Sequence, residues 1–132
     1  MAVRQRSRDQ ERDPSRARKR RRRYWHGVFA EYLAALWLML KGYQILERRW
    51  VSRSGEIDLV AVRGNCVVFV EVKQRTSLEA AQASIGPRQR MRVHRAAENW
   101  MKKHQSFEGH ELRFDLVFIV PGLWPHHIIG GL

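Results

Sequence analysis

Four charged residues stand at alternating positions on either side of one short turn. Glu56 and Asp58 precede Gly64-Asn65, and Glu71 and Lys73 follow it. The flanking segments, EIDLVAVR (Glu56 to Arg63) and CVVFVEVK (Cys66 to Lys73), are rich in β-branched and apolar residues. Glycine at the first position of a two-residue loop suits a type II′ hairpin. Pairing Arg63 with Cys66 then sets Asp58 opposite Glu71 and Glu56 opposite Lys73, all four on one face at one end of the hairpin. Opposed residues have Cβ atoms about 4.5–5.5 Å apart, and like charges there destabilise. Two chemistries relieve that repulsion. A hard divalent cation such as Mg²⁺ is commonly held by one or two carboxylates plus waters and phosphate oxygens. Alternatively, Lys73 neutralises the acids in a cross-strand salt-bridge ladder.

The elements that must position these groups are readable in outline. The other hairpin face (Ile57, Leu59, Ala61, Val68, Val70, Val72) is wholly apolar, and Val60, Val62, Val67 and Phe69 continue the charged one. Apolar residues on both faces predict central strands, with the carboxylates at the edge of a core. Upstream, an α-helix is expected over about Tyr24 to Lys41, apolar nearly all round and largely buried. A first strand is expected over about Tyr43 to Val51. Residues 76 to 86 read as an irregular, mobile loop before Pro87, a good first-turn residue for a second helix to about His104. A further strand over about Leu112 to Val120, with a short edge strand at His126 to Ile129, completes an α/β fold with a mixed sheet, order α-β-β-β-α-β.

The order Asp, strand-length gap, Glu-x-Lys resembles the PD-(D/E)xK nuclease superfamily. The fuller string GEIDLVAVRGNCVVFVEVKQR (Gly55 to Arg75) resembles the YraN-like family of small bacterial proteins within it. The likeness extends over about residues 24 to 129. It includes Gly27-x-x-x-Glu31, Lys41 to Leu46, Arg90 to Ala97 and Arg113-Phe114-Asp115, although Ile57 stands where the motif's name has proline. The resemblance implies a restriction-endonuclease-like core and a Mg²⁺- or Mn²⁺-dependent endonuclease acting on DNA, branched or structured DNA included. It implies Asp58, Glu71 and the Val72 carbonyl as metal ligands, Lys73 as the group that orients or deprotonates water, and Glu31 as a supporting acid.

On the predicted first helix, Gly27, Glu31, Ala35 and Leu38 share a face. An acid there requires a partner, either Lys73 or an arginine in an ion pair, or the metal and its waters. On the second helix Val93, Ala96, Ala97 and Trp100 follow core spacing. Arg88, Arg92 and Arg95 project elsewhere, forming either a solvated basic face or a phosphate track that positions nucleic acid. Gln74 and Arg75 follow the motif directly, where they could contact the scissile region. The five tryptophans read as core or packing residues, Trp124 the least securely placed.

Composition sets the outer limits. The 132 residues allow one modest core and carry a net charge of +12. Residues 1 to 23 hold eleven Arg/Lys and three acids, a net of +8. That stretch is expected to be a disordered basic arm before a single domain spanning 24 to 132, binding phosphate backbone through counterion release. Lone Cys66 excludes an internal disulfide and six histidines lack zinc spacing. There is no GxxxxGK[ST] loop. Val28 to Leu40 is too short to span a bilayer, and no signal peptide is visible, so the expectation is a cytoplasmic protein without a membrane partner. DNA is the expected partner, with RNA and a homodimer left open. The competing classes are a nucleic-acid-binding module that cuts nothing and an adaptor whose arm engages an acidic protein or RNA.

Overall fold

The structure, a computed structural model, describes residues 14–132 and within them the side chains of 14–18 and 27–132. The elements are α1 (Pro14–Leu40), β1 (Gln44–Ser52), β2 (Gly55–Arg63), β3 (Cys66–Gln74), α2 (Leu78–Ala83), α3 (Pro87–Lys103), a 3-10 turn (Gln105–Phe107), β4 (Glu111–Ile119) and β5 (His126–Ile128). The five strands form one mixed sheet in the order β1-β2-β3-β4-β5. Only β3 and β4 run parallel, while β1–β2, β2–β3 and β4–β5 are antiparallel. A parallel neighbour requires a long crossover, and α2 with α3 provides it.

Helix α1 begins at Pro14, ten residues before the expected start at Tyr24, so the boundary read at residue 23 falls inside a helix. Proline suits a first helical turn because its missing N–H would have no partner there. The first thirteen residues of the expected arm lie outside the described residues. The helix ends where Gly42 takes φ 91°. The amides of Gly42 and Tyr43 there reach back to the carbonyls of Met39 and Leu38, each at 3.0 Å, in a Schellman arrangement. The helix is not buried all round as expected. Ala30, Glu31, Ala34, Ala35 and Leu38 face the sheet, while Phe29, Tyr32, Leu36, Met39 and Leu40 are exposed. Alanines are buried because they let the helix approach the strands closely, and no second layer covers the far side among the described residues.

The sheet separates two apolar cores. Leu59, Ala61, Val68 and Val70 pack against α1, and Ile57, Val60, Val67 and Phe69 pack with Val93, Ala96, Ala97 and Trp100 of α3. The α3 stripe matches the sequence reading. The β2 alternation does not, because Ile57 lies on the opposite side from Leu59 and Ala61. The strand changes face at Asp58.

Residues 76 to 86 are not wholly irregular. Ser77 caps α2 by accepting the Ala80 amide at 3.1 Å, and Ala81 is buried against Leu116 and Phe118. Trp124 is not a core residue: it is 81% exposed and stacks one ring face on Trp37. Beneath β5 lies a fully buried acid. Asp115 accepts two hydrogen bonds from Arg113, at 2.9 and 2.8 Å, one from the Gly130 amide and one from His127 Nε2 at 2.7 Å. His127 Nδ1 in turn faces Lys41 Nζ at 3.0 Å, which assigns the ring proton to Nε2. These contacts fasten β5 and the C-terminus to the sheet.

A carboxylate pair at the fork between two strands

The hairpin has the expected register, Arg63 against Cys66, with Gly64 at φ 58° in the turn. The ladder stops at Leu59 against Val70. Beyond it the strands part. Gly55, Glu56 and Ile57 pair with Ser52, Val51 and Trp50 of β1, while Glu71 to Gln74 pair with Leu116 to Ile119 of β4. Asp58 against Glu71 and Glu56 against Lys73 are therefore not ladder pairs. Glu56 is exposed beside Val51, and Lys73 pairs with Glu71 instead, Nζ to Oε1 at 3.4 Å.

The fork brings the two acids together by another route. Asp58 Oδ2 accepts the Val72 amide at 2.8 Å, filling the position a strand carbonyl would take in a continued ladder. Glu71, 7% exposed, accepts from Gln89 Nε2 of α3 at 2.6 Å. Burial, then the charge of Glu71, pushes the Asp58 pKa up to about 8, against the opposing pull of the Val72 amide. Burial raises Glu71 as well, with Lys73 as the main counterweight. Both carboxyls are thus more readily protonated than exposed acids.

That arrangement fits a hard divalent cation. Two carboxylates at the strand fork, with no Cys or His among the described residues lining either adjoining cleft, match the ligand set of Mg²⁺ or Mn²⁺, which retain waters. Among the described residues no group of three or more His, Cys, Asp or Glu surrounds a common point.

Asp58 and Glu71 line two clefts at once. One, about 830 Å³, lies toward α3 and carries Arg53, Arg88 and Arg92 on its walls. Its shape depends on Gly55, at φ 150°. A Cβ there would meet the Arg92 carbonyl oxygen at 2.9 Å, so only glycine lets the β1–β2 turn rest on α3. Ser54 Oγ accepts from Asn99 Nδ2 and pins the same turn. The other cleft, about 1020 Å³, lies toward α1 and is walled by Gly27, Glu31, Lys73, Gln74 and Arg75. Arg95 is exposed on α3 and lines neither cleft. Glu31 is buried and ion-paired with Arg49 of β1, Oε2 to Nε at 2.5 Å.

Three residues here escaped the sequence reading. Gln89 stands one turn before Val93 on the core-facing stripe of α3, and a polar residue on such a stripe was the available signal. Arg53 lies in the turn before Gly55, where charge is unremarkable. Arg49 was not singled out, although the arginine expected as one possible partner of Glu31 proves to be this one.

Fold and site define a mixed α/β domain with a two-carboxylate centre at a strand fork, reached from two clefts. The chain belongs to the family described as Uncharacterised protein family UPF0102, whose model matches residues 30–119. Similar proteins are found in several bacteria. A UPF0102 protein of Maricaulis maris is 50% identical over 110 residues, covering 83% of this chain and 87% of its own. One from Methylobacterium nodulans is 48% identical over 119 residues, covering 90% and 92%. One from Brucella canis is 46% identical over 110 residues, covering 83% and 87%. No helix among the described residues is long and apolar enough to cross a membrane.

Proposed function

We propose that the protein is a metal-dependent endonuclease of the PD-(D/E)xK type that hydrolyses DNA phosphodiester bonds, branched or structured DNA among its substrates. The observation that carries this reading is the half-buried Asp58 beside buried Glu71, at a fork that opens onto two clefts with arginines on their walls. A binding module gains nothing from placing two acids beside phosphate-binding arginines, because their charge repels the ligand. The element order of such nucleases, α-β-β-β-α-β, is contained in the observed order once α2 and β5 are set aside.

Asp58, Glu71 and the Val72 carbonyl would hold Mg²⁺ or Mn²⁺. When bound, that ion supplies charge stabilisation at the phosphate and acidifies water. The protein's own groups do the rest. Lys73, within 3.4 Å of Glu71, orients the attacking water, takes or relays its proton, and offsets charge developing on the phosphate. Gln89 fixes the Glu71 carboxylate. Glu31, whose charge reaches Asp58, supports the pair. Arg53, Arg88 and Arg92 in one cleft, and Gln74 and Arg75 in the other, hold the backbone on either side of the scissile bond without reading bases.

A cleavage assay across single-stranded, duplex, flap and four-way DNA, with Mg²⁺ and with Mn²⁺, tests this reading. Cleavage abolished by Asp58→Asn supports it. DNA binding without cleavage of any substrate would make the protein a non-catalytic binding module.

A further inference from the structure

Arg49 takes no direct part in the chemistry above, yet two features converge on it. Its φ is 52°, and among the described residues it alone, glycines aside, has a positive φ. It sits in the middle of β1, where the strand would otherwise be extended, and a long side chain gains nothing from that conformation. An outlier of this kind persists only where the surrounding structure over-determines it, and such outliers gather at functional sites.

A change of face is visible at this point in its own strand and in the neighbouring β2. Arg48 pairs with Leu59 and Trp50 pairs with Ile57. Leu59 packs toward α1, and Arg48 stacks on Tyr32 of that helix with its guanidinium 4.2 Å from the ring centroid. Ile57 and Trp50 both pack on the α3 side. The two strands therefore change face together, each across one intervening residue, Arg49 in β1 and Asp58 in β2. Regular alternation would keep Arg48 and Trp50 on the same side, and it holds only while every residue between is extended. A left-handed residue between them breaks it. Asp58, freed from the alternation, turns to the Val72 amide at 2.8 Å. The Arg49 side chain meanwhile runs toward α1. Nε meets Glu31 Oε2 at 2.5 Å, and Nη2 lies 3.6 Å from where a Cβ on Gly27 would stand.

We propose that Arg49 is a positioning residue of this site: its left-handed backbone turns Asp58 out of the strand alternation onto Val72, and its guanidinium fixes Glu31 beside the carboxylate pair. The inference deepens the nuclease reading and rests on it for the Mn²⁺ and cleavage arms of its test, while the hydrogen-exchange arm stands apart from it.

Two substitutions separate backbone from side chain. Arg49→Gly removes the guanidinium but adopts φ 52° freely, whereas Arg49→Val removes it and resists that conformation. Hydrogen exchange of the Val72 amide in metal-free protein and Mn²⁺ affinity by calorimetry are read in both, with cleavage as a third arm. Arg49→Gly should leave the Val72 amide protected close to wild type. Arg49→Val should speed its exchange and weaken Mn²⁺ binding relative to the glycine variant, each by about tenfold. If the valine variant fails to fold, Arg49→Ala replaces it in the same comparison. Equal protection and equal Mn²⁺ affinity in the glycine and the comparison variant would overturn the proposal. A wild type that cuts no DNA but shows the split sinks the nuclease reading alone. A wild type that cuts, with no split between variants, sinks the positioning role alone.

Discussion

The Asp58 carboxylate accepts the backbone amide of Val72 at 2.8 Å, so a side chain substitutes for a strand carbonyl at the point where β2 and β3 separate. The acid is thereby aimed at Glu71 without being its ladder partner. Burial raises the pKa of both carboxyls, so each favours its protonated form and a cation must displace that proton. Mn²⁺ should therefore bind the wild type with an affinity that rises with pH up to about 8, where Asp58 ionises. Calorimetry should show binding at least tenfold weaker in Asp58→Asn and in Glu71→Gln. Equal affinity in all three proteins would leave only an ion-paired acid cluster.

Lys73 separates an enzyme from a binder. Its Nζ is 3.4 Å from Glu71 and it lines the cleft toward α1. Lys73→Ala should keep or strengthen Mn²⁺ binding, since a competing cation is removed, and should lower DNA affinity only slightly. Cleavage should fall by about 10²-fold, the effect of losing one positioned acid–base group. Wild-type cleavage by the purified variant would place the chemistry elsewhere.

Gln89 holds Glu71 Oε1 from α3 at 2.6 Å. Gln89→Leu, similar in size and unable to donate, should reduce Mn²⁺ affinity or cleavage by about 10- to 100-fold. Its melting temperature should remain within a few degrees of wild type. A fall in melting temperature with unchanged Mn²⁺ affinity and cleavage would make Gln89 a packing residue only.

Asp115 predicts a specific acid sensitivity. Burial alone would raise its pKa, but donors from His127, Arg113 and the Gly130 amide outweigh it and hold the carboxyl at about 2. A lowered folded-state pKa contributes stability above the unfolded value of 3.8 and loses it as pH falls through the folded one. About 2 kcal/mol should therefore disappear between about pH 4 and 2. Asp115→Ala strands a buried partner set and should cost about 3–5 kcal/mol at about pH 7. Denaturant titrations from acid to neutral pH measure both, and the variant should lack this portion of the pH dependence.

The basic run from Arg16 to Arg23 lies within α1. Replacing its seven Arg/Lys by Gln should weaken DNA binding at low salt. It should also flatten log K against log salt by about 0.9 for each phosphate that is no longer neutralised. Sequence preference should not change. An unaltered slope would make the run a bystander.

Much of this was legible in the chain. β-Branched runs around Gly64-Asn65 specified the hairpin, and its register followed from a two-residue turn. The stripe Val93, Ala96, Ala97, Trp100 specified the buried face of α3. Pro87 marked the start of α3. These are local signals, since each depends on residues within a turn or a strand of one another. That Asp58 and Glu71 come near one another, lining the same clefts, was also legible from the hairpin's register. The reason they meet was not. Strand alternation placed Ile57 with Leu59 and Glu56 against Lys73. The structure instead turns β2 over at Asp58, leaves its first residues to β1, and gives the end of β3 to β4. A fork of this kind depends on which strands compete for each backbone amide, and strands far apart in sequence decide that. The left-handed conformation of Arg49, the reach of Gln89 from α3 and the pairing of Glu31 with Arg49 have the same origin. Residue type fixes what a side chain can do, but only the packed sheet and helices determine which backbone conformations are tolerated and which charges become neighbours.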